Sequence, residues 1–360
     1  MCKLKSAIIL KDKIFMPDYD SHSEMLEELK ITDDYFNASK VFVRAELSPE
    51  NGDVFSDIDG WKFSVDQDIT PEWFDEKDCA ERMRKAVKEW AKTHIFVGQN
   101  ELKISHGENI FIKDCKNVDI CDNATVKYIY GNTTVENIYG DATVNNICDN
   151  VTVKYIRSNV TVKYICGNVT VDYICDNATV KNICDKATVK YIRDNATVKN
   201  IYDKATVKYI RGNVTVKNIC GSTTVENIYD NATVERIYGN ATVENIYGDA
   251  TVKYIYGNAT VEYICGSTTV ERIYGDATVK YIYDNATVES ICDNATVERI
   301  YGNATVKYIY DNATVISSPY TKWNNSTSLI IAGNATFKDC YSRTIYQAGG
   351  WKFVEVKNNK

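Results

Sequence analysis

Across residues 121–315 the hydrophobic positions recur with a period of nine and no insertion: CDNATVKYI, YGNTTVENI, YGDATVNNI, CDNVTVKYI and onward. With the unit numbered from Cys121, position 5 is Thr and position 6 is Val in all 22 copies, position 9 is Ile in all 21, and position 4 is only Ala, Val or Thr. Position 1 drifts among Tyr, Cys and Arg, while positions 7 and 8 are polar, charged or Tyr. Alternating side chains put positions 4 and 6 on one face of a strand, and Thr, Val and Tyr favour extended backbone. The Gly/Asp–Asn pair at positions 2 and 3 suits a turn. A gapless spacing of nine leaves no room for a helix, so each unit reads as a strand and a corner. One unit is too short to enclose a core; two, 18 residues, make a coil. The expectation is about 11 coils from residues 121–315, a rod of ~50 Å at ~4.8 Å per coil, with positions 4, 6 and 9 inside and 1, 7 and 8 outside. In that register Cys148, Cys166 and Cys184 fall in one column, close enough for a disulfide to span neighbours.

The remainder is organised differently. Residues 1–102 read as an α+β head domain: a strand over 6–15, a helix opening at Ser21 with Glu24 in capping-box position, strands over 40–47 and 60–65, and a helix over 76–93 with Met83, Val87 and Trp90 on one face. Residues 103–120 read as degenerate coils leading into the array, 121–315 as the nonapeptide-repeat solenoid, and 316–360 as a C-terminal capping segment with a worn copy over 332–340. The fold class expected is mainly β: a right- or left-handed β-solenoid of nine-residue repeats, about 18 residues per coil, with an N-terminal α+β domain.

Composition narrows the function. With 44% hydrophobic and 25% charged residues the chain is in the range of folded proteins. No run approaches the ~18–20 apolar residues of a bilayer crossing, and the first residues lack a signal-peptide core, so a cytoplasmic protein is expected. Its 12 cysteines are then expected as free thiols. The only histidines are His22, His94 and His106 and there is no CxxC pair, so no metal and no cofactor is expected.

The segments KSAIILKDKIFMPDYDSHSEMLEELKI, VRAELSPENGD and WKFSVDQDI, then KAVKEWAKTHI with KDCKNV before the array, resemble a group of uncharacterised gut-bacterial and phage proteins with a small N-terminal α+β domain and a nonapeptide-repeat β-solenoid. The resemblance implies a repeat rod behind a shared head and a phage or prophage origin, and carries over no functional residue. The array resembles the calcium-binding nonapeptide β-rolls in period only: their Gly-Gly-x-Gly-x-Asp turn is replaced here by Tyr-Gly-Asn or Cys-Asp-Asn.

Candidate chemistry is sparse. Asp18, Asp20 and His22 lie in the polar lead-in to a helix, where capping accounts for them. Asn-x-Thr recurs in most copies, as at Asn123 and Asn240; without a secretory signal, Asn is a corner residue and Thr a hydrogen-bonded ladder. No nucleophile–base pair or phosphate loop stands out, so no enzyme and no catalytic residue is expected. The outward tyrosines and arginines are the candidate binding surface: Tyr155, Arg157, Tyr164, Tyr191, Arg193, Tyr209, Arg211, Arg236, Tyr254, Tyr256 and Arg272. Aromatic and guanidinium groups can bury against a protein or stack bases and sugars, although Tyr is also simply a good strand former. Residues 148–219 hold 12 basic and 6 acidic residues, whereas 220–315 hold 6 and 13. The array sums to only −3, so non-specific DNA binding is not expected. The expected function is a non-enzymatic structural or protein-interaction rod, phage-encoded and directed at a host protein, with a protein partner and a monomeric or small homo-oligomeric state. The alternative is a ligand-sequestering binder of nucleotides or glycans, taking a small anionic or aromatic ligand on the Tyr/Arg ladders.

Overall fold

The computed structural model describes residues 5–319 and 329–356, the last seven as backbone alone. Two sheets of fifteen strands face each other, successive repeats contribute alternately to the two, and each repeat pairs with the copy 18 residues away: Thr125↔Thr143, Val126↔Val144, Ile129↔Ile147 in the first sheet and Thr134↔Thr152, Val135↔Val153, Ile138↔Ile156 in the second. Two units per coil is thus the register, and the chain is mainly β. In each sheet fourteen strands run parallel and the last is antiparallel, so thirteen steps of ~4.8 Å give a rod of about 60 Å.

Val at position 6 and Ile at position 9 are fully buried in every copy, and the small residue at position 4 is buried with them. Both 6 and 9 point inward, so strict alternation is broken and positions 7 and 8 both lie outward, as the burial of Thr152–Ile156 and its neighbours shows. Position 2 is left-handed in all 22 copies, with φ from +53° at Asp122 to +77° at Gly212. That is why only Gly, Asp and one Ser occur there. A Cβ on Gly140 would also sit 2.7 Å from the backbone nitrogen of Asp122.

Two side-chain expectations change. The polar ladder belongs to asparagine: at position 3, Asn168 Nδ2 donates to Asn150 Oδ1 at 3.2 Å, and the pattern continues through Asn213→Asn195, Asn231→Asn213 and Asn312→Asn294 at 3.2–3.3 Å. An amide both donates and accepts along the rod axis, and so can extend a ladder indefinitely. The position-5 threonine expected to form the ladder bonds locally at Thr305, whose Oγ1 reaches Asn303 O at 3.5 Å, and where position 4 is also Thr its hydroxyl turns back likewise, as Thr223 Oγ1 does to Cys220 O at 2.5 Å. Position 1 is not uniformly outside either: Cys121, Cys175 and Cys184 are buried, because the corner folds a small side chain under the neighbouring coil.

The head is a four-stranded antiparallel sheet in the order Ile14–Phe15, Lys5–Leu10, Phe42–Ser48, Lys62–Val65. The stretch expected as one strand over 6–15 is a hairpin, broken at Lys11–Asp12. Lys5–Leu10 is buried on both faces: Ala7 and Ile9 meet the helix Glu76–His94 through Met83, Val87 and Trp90, while Ile8 meets Met25 and Leu26 of the helix His22–Glu28. Ser21 caps that helix, accepting from Glu24 N at 3.3 Å. A further short helix, Tyr35–Lys40, was not expected. The polar lead-in was expected to serve capping, but only Ser21 caps; the other three residues make tertiary contacts. Asp20 lies 3.7 Å from the buried Lys5 ammonium, Asp18 lies 3.2 Å from His94, and His22 meets Ala45 O at 3.2 Å.

The coils begin inside the range assigned to the head. Helix Glu76–His94 runs directly into Ile95–Val97, which pairs in parallel with Ile110–Lys113, and Leu102–Ile104 pairs with Val118–Ile120 in the other sheet. Trp90 stands edge-on to Phe111 at 6.4 Å, Phe111 stacks on Tyr128 at 5.8 Å, and a cleft of about 450 Å3 between Phe55 and Tyr130 marks the seam. At the other end the worn copy forms Thr336–Asp339, shifted by a four-residue insertion so that Asn334 bonds Asn312, 22 residues back. Thr344–Gln347 and Gly350–Val356 then pair antiparallel onto the two terminal parallel strands. Most of the segment between the array and the worn copy lies outside the described residues.

Candidate binding face

Because alternate copies occupy opposite sheets, the outward tyrosines and arginines form separate columns on two faces. On the second sheet, position 8 over four consecutive coils is Tyr155, Tyr173, Tyr191 and Tyr209. Their rings stack at 5.0, 5.1 and 4.9 Å with interplanar angles of 6–14°. The pitch is that of the β-ladder, so the stacking follows from strand pairing with an aromatic in every coil.

Cations flank the column on both sides. From the corner, the Arg193 guanidinium lies 5.1 Å from the Tyr173 ring centre, Arg211 lies 5.8 Å from Tyr191, and Arg157 lies 5.9 Å from Tyr155. From position 7, Lys154, Lys190 and Lys208 lie 5.7–6.0 Å from Tyr155, Tyr191 and Tyr209. These are cation–π distances. Asp172 is the one acid on these four strands. The strip is bounded by carboxylates: Lys154 meets Glu136 at 3.3 Å and Lys208 meets Glu226 at 3.9 Å.

The structure therefore gathers Tyr155, Arg157, Tyr191, Arg193, Tyr209 and Arg211 on one face. It adds Tyr173, Lys154, Lys190 and Lys208, which step by 18 in the sequence and become visible only when every second copy is read together. Arg236, Tyr254 and Arg272 are consecutive on the first sheet, farther along the rod. Tyr256 lies beside them in a corner column, 5.0 Å from Tyr238 and 4.7 Å from Tyr274. Tyr164 is isolated on the first sheet between Asn146 and Asn182, and is 42% exposed. That sheet also carries Lys163, Lys181, Lys199 and Lys217 in one column. Among the described residues none of these four meets a carboxylate at ion-pair distance.

The ring faces of Tyr155 to Tyr209 cover one another, leaving no gap for a third ring between neighbours. What faces outward is a row of ring edges and charges at a pitch near 5 Å. Groupings of potential metal ligands occur at corners where Cys at position 1 adjoins two position-2 aspartates, as at Cys175, Asp176 and Asp194, and in the head at His22, Glu46 and Asp66. One corner differs by holding more than one thiol: Cys166, Cys184 and Asp185 have ligand atoms within 4.8 Å of one another, and Cys148 Sγ lies 2.7 Å from Cys166 Sγ. Comparison of the chain with family models, with curated proteins and with solved structures finds no match.

Proposed function

We propose that this protein is a non-enzymatic interaction rod whose basic tyrosine face holds an extended, acidic surface of a partner protein. The observation that carries the reading is the column Tyr155–Tyr173–Tyr191–Tyr209 with six cations beside it, against Asp172 on its strands and Asp176 and Asp194 at the same corners as the arginines, Asp194 lying 3.7 Å from Arg193. Tyrosine and arginine dominate well-packed protein interfaces. Here the ladder fixes both in advance, so little side-chain freedom is left to lose on binding. A row of charges at constant pitch matches a partner with its own extended repeat of carboxylates, such as a strand or an acidic loop. The cytoplasm of a bacterial host, with the rod encoded by a phage, is the setting this reading assumes. Sequestering of nucleotides or glycans is the weaker reading, because the ring faces such ligands need are occupied by neighbouring rings.

The test is affinity capture from host lysate with the native protein and with a variant carrying Arg157→Glu, Arg193→Glu and Arg211→Glu, followed by direct binding of the captured protein at two salt concentrations. Binding lost in the variant and weakened by salt is expected. Equal capture by both would overturn the proposal, and a small molecule extracted from the native protein alone would favour sequestration.

A further inference from the structure

One column of position 1 runs Tyr130, Cys148, Cys166, Cys184, Tyr202. Strand pairing sets its members one β-spacing apart, about 4.8 Å. No other corner cysteine of the array has a cysteine above or below it in its column, so three consecutive thiols occur once. Cys184 is 6% exposed and the other two are half-buried. Cys148 Sγ lies 2.7 Å from Cys166 Sγ, either thiol able to donate to the other, and Cys166, Cys184 and Asp185 have ligand atoms within 4.8 Å of one another. Position-2 carboxylates Asp149, Asp185 and Asp203 line the same edge, and Asp185 Oδ2 is held by Gly167 N at 3.0 Å.

A metal–thiolate bond is ~2.3 Å, so two sulfurs on opposite sides of one ion stand up to ~4.6 Å apart. That is nearly the backbone pitch of the column; the Cys148 and Cys166 sulfurs themselves stand 2.7 Å apart, so a side-chain rotation at one of them opens the pair to the in-line spacing when the ion enters. A tetrahedral ion such as zinc asks for four ligands converging on a point, which a straight column does not supply. A soft d10 monovalent ion accepts two thiolates in line. We propose that Cys148, Cys166 and Cys184 form a binding site for thiophilic monovalent cations of the Cu(I) class, one ion bridging Cys148 to Cys166 and a second bridging Cys166 to Cys184. Cys166 is shared between the ions. Binding two ions to three thiols releases three protons and leaves the M2(SR)3 group with a single negative charge. The ions clamp three successive coils together.

The experiment titrates the reduced full-length protein with Cu(I) presented by a competing chromophoric chelator, and reads stoichiometry by native mass spectrometry. Two Cu(I) per chain are expected. Cys166→Tyr, a residue this position carries in 11 of 22 copies, should keep the native circular dichroism and lower Cu(I) affinity by about 100-fold or more, beyond what loss of an outer-shell partner costs. Cys220→Ser, whose column neighbours are Tyr202 and Tyr238, should change nothing. Undiminished Cu(I) retention in Cys166→Tyr, no retention by the native protein, or displacement of Cu(I) by equimolar Zn(II) would each overturn the proposal.

Discussion

Replacing Ile201 by aspartate tests the inside–outside assignment in mid-rod. Ile201 is fully buried and pairs with Ile183 below and Ile219 above. Removing its side chain forfeits ~1.5–3 kcal/mol of apolar burial. A carboxyl group in the same dry column finds only aliphatic neighbours, and burying a polar group without a partner adds ~2–7 kcal/mol. The sum is roughly 4–10 kcal/mol, enough to unfold the coils around it. Ile201→Ala should cost about 2–5 kcal/mol, and Tyr202→Ser, at the half-exposed corner next in sequence, about 1 kcal/mol. Urea unfolding followed by circular dichroism measures all three. Because each coil contacts only its neighbours, Ile201→Asp is expected to split the transition into two phases as the rod fails in the middle. Equal midpoints for Ile201→Asp and Tyr202→Ser would refute the assignment of position 9 to the core.

Four further outcomes are expected. Asp203 sits at φ +59°, so Asp203→Val should cost about 1–2 kcal/mol and Asp203→Gly far less, read from thermal melts. Limiting peroxide should convert the Cys148 and Cys166 thiols to a disulfide, two thiols and one peroxide giving the S–S bond and two waters, and peptide mapping should find that link in preference to Cys166–Cys175. Burial raises Tyr130 and Tyr283 to about 12 from 10.0, and Tyr238 rises to about 12 mainly through its bond with Cys220. A raised tyrosine pKa means the unfolded chain loses its proton first, so stability is intact below pH ~10 and falls as pH rises toward ~12; ultraviolet titration should show a late-ionising class. Deleting residues 341–360 removes both antiparallel end strands and exposes two parallel edges, so mass photometry should show the full-length protein as a discrete species and the truncated one as growing assemblies; filaments from the intact chain would contradict the capping role.

The repeat by itself determined the local structure. Val at 6 and Ile at 9 without exception mark the core, Gly or Asp at 2 marks a left-handed corner, and a gapless nine leaves only strands. Even the two-unit coil was legible, because one unit is too short to close around a core. What a period of nine does not display is how the outward side chains of alternate copies meet, which closure of the coil decides by setting copy n on copy n+2. Tyr155, Tyr173, Tyr191 and Tyr209 therefore look scattered in sequence and form one stack in space, while Tyr164 and Tyr256, equally prominent in the sequence, belong to other columns. The same closure turned corner asparagines into an amide ladder, whereas the column of Cys148, Cys166 and Cys184 was already legible from the 18-residue step. At the ends, where the repeat decays, only tertiary pairing could place Ile95–Val97 in the first coil and fold the C-terminal strands back as antiparallel covers, since those contacts depend on free strand edges and not on any local preference.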